Sequence, residues 1–262
     1  PAWYQREIEI PAAWKGKRIF LYFERTHWLS SVYVGKEEVS KIDYISIPHN
    51  HELTQWLHPG KKELITFCID NRYQYDTHKW DHAHSEFTQI NWNGVLGEIK
   101  LVAVDPVYVD DMQVYPDIKN KSIKVKMTVR NCTEHTASGK ISFHVTGKDY
   151  RLQKEVPVTV TDSITYIEEE MFLGKDIHLW NEFHPNLYTL DCKLTSSVEG
   201  QSYAHEKSTT FGMREVEAGE DHIILNGEPI HLRGTVENAV FPKTGYAPVD
   251  DASWERVLRI LK

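Results

Sequence analysis

The residues best equipped for chemistry gather in the stretch 73–87, YQYDTHKWDHAHSEF, where His78, Asp81, His82 and His84 lie close together. A His-x-His pair on a strand offers two imidazoles to one cation, because alternate strand residues share a face. The acidic and aromatic surroundings favour a solvated loop instead, so neither a metal nor any other cofactor is assigned. Trp80 and Trp92 have the flat face that stacks on a sugar ring, yet Trp92 sits in an Asn-Trp-Asn-Gly turn. Core or interface packing is the expectation for both. Cys68, Cys132 and Cys192 are odd in number and far apart, which matches no zinc spacing and no disulfide framework. Buried thiols are expected. Among 38 acidic residues no motif singles out a pair, and no Gly-rich phosphate loop, Ser/His/Asp arrangement or basic stripe is present.

Composition bounds the reading further. A length of 262 residues suggests two domains. Hydrophobic content of 40%, with 8 Trp, 13 Tyr and 9 Phe, suffices for packed cores. A net charge of −8 argues against nucleic acid as a main partner. No apolar run is long enough to span a membrane as a helix, and no charged-then-apolar leader is seen.

The elements that must position these residues are mostly strands. In residues 1–105, strand patterns run over Trp3–Ile10, Arg18–Glu24, Ser31–Val34, Tyr44–Ile47, Lys62–Asp70 and Leu96–Val104, with a helical turn expected at His51–Leu57. In residues 106–211 seven strands are expected: Val107–Tyr115, Ser122–Arg130, Gly139–Val145, Glu155–Val160, Ser163–Met171, Leu187–Ser196 and Gln201–Thr210. Seven strands in about 100 residues fit an immunoglobulin-like sandwich. In residues 212–262 the pattern changes. Ile223–Leu225 is followed by Asn226-Gly227, a strong hairpin signal, and then by a strand from Pro229 to Leu232. Asp250 and Asp251 are N-cap and first-turn candidates, and Trp254, Val257, Leu258 and Leu261 fall on one helix face.

Three segments in order, Phe211-Gly212-Met213-Arg214, Leu225-Asn226-Gly227-Glu228-Pro229-Ile230 and Leu232-Arg233-Gly234, resemble the entry to the catalytic barrel of glycoside hydrolase family two. Earlier stretches carry the same resemblance: Pro11–Ile19, Val32-Tyr33-Val34, Leu53-Thr54 with Gly60, Asn91–Gly97 and Trp180–Tyr188. The resemblance implies an all-β chain: a jelly-roll, sugar-binding-like sandwich over 1–105 that is N-terminally incomplete, then an immunoglobulin-like sandwich over 106–211. Residues 212–262 would be the first strand and helix of an incomplete (β/α)₈ barrel. It implies the non-catalytic front of a retaining β-glycosidase, with β-galactosidase placed first and β-glucuronidase or β-mannosidase as alternatives. A carbohydrate-binding module without catalysis is the alternative of another class.

Retention requires two carboxylates about 5–5.5 Å apart. In the family both are glutamates of later barrel strands, expected beyond Lys262, so no catalytic residue is assigned and this stretch alone is expected to be inactive. The resemblance places Arg233, Glu237 and Asn238 at the barrel mouth as substrate-binding candidates. Val236 and Asn238 replace the family's Asn and His there, which weakens a specifically galactose-directed reading. The partner implied is an oligosaccharide or glycoside, and the apolar helix stripe is compatible with a homo-oligomer. A periplasmic or secreted setting is favoured over the cytoplasm.

Overall fold

The computed structural model describes residues 1–45, 47–72, 93–232, 234–236, 241, 243–245, 247–248 and 250–261. They form two compact units, Pro1–Ala103 with Gly234–Lys262, and Val104–Arg233.

The first unit is a sandwich of two sheets. One sheet orders its strands β1–β6–β3–β4, and the other β5–β2–β7. Their ranges are β1 Ala2–Glu9, β2 Arg18–His27, β3 Leu29–Val34, β4 Glu37–Asp43, β5 His49–Glu52, β6 Lys62–Asp70 and β7 Gly94–Val104. Ile19, Leu21 and Phe23 alternate inward from β2 and meet Val32, Ile65 and Ile69, with Leu53 and Leu57 alongside. Each such side chain contributes about 1.5–3 kcal/mol on burial. Gly94 and Gly97 both need their positive φ (+111° and +79°). A Cβ on Gly97 would overlap the Glu24 carboxylate, which accepts the Glu98 N–H at 2.9 Å. That explains the glycines of this motif as fold requirements.

Two segments differ from the strand and the turn expected of them. The strand expected at Tyr44–Ile47 is absent: β4 stops at Asp43, and Tyr44, Ile45 and Ile47 carry no strand. Pro48 has no N–H to donate to a ladder, and the Tyr44 carbonyl is taken by the His49 ring. The helical turn expected from His51 begins later, because His51 and Glu52 belong to β5. The turn closes through Trp56 N–H and Leu57 N–H, both donating to the Leu53 carbonyl.

The second unit has all seven expected strands: β8 Val107–Asp117, β9 Ser122–Asn131, β10 Ala137–Gly147, β11 Tyr150–Val160, β12 Ile164–Phe172, β13 Tyr188–Val198 and β14 Gln201–Phe211. They make a four-stranded sheet β11–β10–β13–β14 and a three-stranded sheet β12–β9–β8, the division of an immunoglobulin-like sandwich. Strand β13 alternates with period two, so Leu190, Cys192, Leu194 and Val198 enter the core beside Phe143 and Met127. Gly139 is obligatory, since a Cβ there would meet the Thr195 carbonyl oxygen at 2.0 Å. Tyr188 begins β13 and its hydroxyl accepts the His178 N–H at 2.8 Å. This is the tyrosine corner that ties an interstrand crossing back on itself.

Strands β15 Val216–Ala218, β16 Ile223–Leu225 and β17 Glu228–Ile230 form a small antiparallel sheet. Asn226 (φ +54°) and Gly227 (φ +86°) make the expected turn. The strand expected to reach Leu232 ends at Ile230, because its partner β16 runs out at Ile223. Helix α1 spans Asp251–Leu261, and the Asp250 carboxylate caps it by accepting the Ser253 N–H at 2.8 Å. Cys68 and Cys192 are buried as expected, whereas Cys132 is exposed; none forms a disulfide. Cys132 follows the last residue of β9, where the buried Asn131 side chain turns inward and the next residue turns out.

Candidate functional site

Arg233, Glu237 and Asn238 lie outside the described residues, as do His78, Trp80, Asp81, His82, His84 and Trp92. The described residues that lead to position 233 form a junction. Three of the motif segments converge in the second unit. Leu179 bridges Met213 in parallel, and the Trp180 N–H donates to the Met213 carbonyl at 2.9 Å. The Arg214 guanidinium lies 4.6 Å over the Trp180 ring, a cation–π contact. Gly212 permits this approach, since a Cβ there would sit 2.9 Å from that of Trp180.

Asn226 locks the hairpin to the same point. Its Oδ1 accepts the Glu215 N–H at 3.0 Å, and its Nδ2 donates to the Trp180 carbonyl at 2.9 Å. The Phe-Gly-Met-Arg, Asn-Gly and Trp180–Tyr188 signatures are thus one junction. It fixes how the chain leaves the sandwich and enters β16 and β17. These residues act on geometry; none is arranged as a nucleophile, acid or base.

Beside the junction a cleft of about 730 Å³ is lined by Lys148, Asp149, Asp176, His178, His184 and the Tyr150 ring, among others. Several polar walls are already committed. Asn181 Oδ1 accepts the N–H groups of Phe183 and His184, Asn186 Nδ2 donates to the Leu179 carbonyl, and the Tyr150 hydroxyl donates to the Leu173 carbonyl. Burial beside Tyr188 and Asp176 pushes the Tyr150 phenol above its ordinary value. The cleft offers hydrogen-bonding groups for hydroxyls without an activated one.

The first unit holds a polar network that the sequence reading did not single out. His49 and His51 are buried, alternate on β5 and face the same way. Heavy-atom contacts define one consistent direction. Ser40 Oγ lies 2.8 Å from His51 Nδ1, Ser30 Oγ lies 2.8 Å from His51 Nε2 and 2.6 Å from His49 Nδ1, and His49 Nε2 lies 2.8 Å from the Tyr44 carbonyl. The carbonyl can only accept, so His49 carries its proton on Nε2. Ser30 then donates to His49 Nδ1 and accepts from His51 Nε2, and Ser40 donates to His51 Nδ1. Both imidazoles are neutral. Burial, reinforced by His49, pushes His51 down to about 3, and burial lowers His49 as well. Neither is a base for work near neutral pH. The signal was the spacing His49-Asn50-His51, obscured by reading a helical turn there. Among the described residues no cluster of His, Cys, Asp and Glu is suited to a metal ion, and no helix is long and apolar enough to cross a membrane.

Comparison with known proteins places this architecture. Residues 107–214 match the family Glycosyl hydrolases family 2. The chain is 24% identical over 252 residues to a β-galactosidase of Thermoanaerobacter pseudethanolicus, covering 95% of this chain and 33% of that protein. It is 25% identical over 243 residues to a putative β-glucuronidase of Formosa agariphila, covering 90% of this chain and 22% of that one. Among solved structures, the Bacteroides uniformis β-glucuronidase 2 superposes with a TM-score of 0.78 at 18% identity, over 99% of this chain and 32% of that chain. A putative β-galactosidase from Bacteroides fragilis gives 0.72 at 19% identity, over 87% and 35%. The chain spans a third or less of the length of the first two relatives. The second sandwich is thus similar to Glycosyl hydrolases family 2 over residues 107–214, and the chain as a whole is similar to part of proteins named β-galactosidase and β-glucuronidase.

Proposed function

We propose that this chain is the non-catalytic front of a longer retaining β-glycosidase that cleaves O-glycosidic bonds. The observation that carries the reading is the match along 95% of the chain to one third of a β-galactosidase. β-Galactosides are the first substrate class to test, and β-glucuronides the second, because relatives of both names align along nine-tenths of the chain or nearly so. The hairpin β16–β17 and helix α1 are read as the opening of the catalytic barrel, with the paired glutamates contributed by other parts of the protein. A setting outside the cytoplasm is proposed with this role, and cell fractionation tests it.

In this reading Arg233, Glu237 and Asn238 stand at the barrel mouth, just past the hairpin that the Trp180–Asn226 junction fixes. A guanidinium at position 233 would hold a carboxylate through two charge-assisted hydrogen bonds and keep a nucleophilic carboxylate ionised. Chromogenic β-galactoside, β-glucuronide and β-mannoside turnover by the whole protein tests the class. Arg233→Ala there should lower kcat more than it raises KM, and Glu237→Gln should mainly raise KM. Wild-type kinetics in both folded variants would defeat the assignment.

A further inference from the structure

The outer face of the sheet β12–β9–β8 carries a groove of about 380 Å³, separate from the junction. Strand register sets its floor. Gln113 pairs with Lys126 and Lys126 with Glu168, so the three stand in a row across the sheet. One step along, Asp111, Thr128 and Tyr166 make a second row. Residues two apart on a strand share a face, so both rows point away from the core that Met112 and Met127 enter.

Two features single this face out. Tyr166 is 81% exposed, an apolar ring left standing in water beside polar groups. Gln113 is fixed before any ligand arrives: its Nε2 donates to Asp111 Oδ2 at 2.7 Å, and its Oε1 accepts the Tyr115 hydroxyl. Lys126 sits 5.3 Å over the Tyr115 ring and 3.5 Å from Glu168. An aromatic wall and oriented amide and carboxylate groups are what a pyranose ring needs. Its C–H face covers an aromatic ring, and its hydroxyls donate and accept.

We propose that this face binds a neutral, pyranose-based oligosaccharide, with one ring stacked on Tyr166 and its hydroxyls met by Asp111, Gln113 and Glu168. Neutrality follows from the charges. Lys124 and Lys126 stand against Asp111, Glu168 and Glu170, and both lysines are engaged with Glu168 at 3.0 and 3.5 Å. An anionic glycan would meet net negative charge and two occupied cations. The groove volume falls in the range of about 300–1,000 Å³ usual for small-ligand sites. Tyr166 and Tyr115 are two strands and two pair-steps apart, about 16 Å by sheet geometry, a span for several linked sugars rather than one. Because binding and not turnover is read, the site stands or falls independently of the glycosidase reading.

The test is titration of the 262-residue chain with β-1,4-galactotetraose, cellotetraose and an oligogalacturonate, by calorimetry and by amide NMR. Saturable binding of a neutral tetrasaccharide is expected, with shifts centred on 111–115, 126–128 and 166–168. Tyr166→Ala should weaken it at least about tenfold, and Gln113→Ala by about fivefold, with melting unchanged because both side chains are exposed. Tyr44→Ala, an exposed tyrosine of the other unit, should bind as wild type. Absence of saturable binding by both neutral tetrasaccharides, retention of affinity in Tyr166→Ala, or tighter binding of the oligogalacturonate would each overturn the proposal.

Discussion

Acidification should destabilise the first unit through its buried imidazoles, and His51 is the one to isolate. His51 is fully buried, and its imidazole is pushed from the usual 6.5 to about 3 by burial and by His49. In the unfolded chain the same imidazole titrates at its ordinary value. As pH falls, the unfolded state therefore binds the proton first, and the folded state binds it only near pH 3. Stability is complete above about pH 6.5 and is lost progressively from there down to about pH 3. Each pH unit in that window costs about 1.4 kcal/mol, so the whole span is worth about 5 kcal/mol, and the first 1.5 units about 2 kcal/mol. His51→Gln keeps hydrogen-bonding capacity toward Ser30 and Ser40 but cannot be protonated. At pH 7.5 it should cost about 1–2 kcal/mol, from imperfect geometry in the network. Its stability should then fall less steeply with pH, so that the two proteins converge near pH 5. Urea unfolding followed by tryptophan fluorescence is the assay. Of the eight tryptophans only Trp180 lies in 104–233, so the signal reports chiefly on the first unit. Parallel pH profiles for the two proteins would refute the reasoning.

Asn226→Ala removes two hydrogen bonds and places a Cβ-bearing, non-Asn residue at φ +54°, so the second unit should lose about 2–3 kcal/mol. Asn226→Gly should lose less, and melting curves that show Ala equal to wild type would count against the junction. In α1 no residue is buried, and Leu258, Ile260 and Leu261 are 59%, 77% and 59% exposed. Amides of 251–261 should exchange fast in the dilute monomer and gain protection only with rising concentration. Strong protection at low concentration would contradict that reading.

Much of the fold was legible because period-two alternation is a strong signal when one face of each strand is buried. All seven strands of the second unit were readable for this reason, and the Asn226-Gly227 turn from two residues that accept positive φ. The two failures have separate causes. His49 and His51 are polar residues on an inward face, so the hydrophobic pattern that marks a strand was missing from β5. The Tyr44–Ile47 stretch has strand-forming side chains, but its backbone is diverted by Pro48 and by the His49 ring. The junction motifs were recognised as signatures, yet only coordinates reveal that Trp180, Arg214 and Asn226 meet, since their separation in sequence hides a shared contact. Arg233, Glu237 and Asn238 remain the sequence's own proposal.

The most direct test of the central claim compares the purified 262-residue chain with the whole protein on chromogenic β-galactoside, β-glucuronide and β-mannoside. Turnover of at least one substrate is expected from the whole protein and none from the 262-residue chain. Turnover by the purified chain that survives rigorous purification would contradict it, as would a whole protein, folded and intact, that cleaves no β-glycoside.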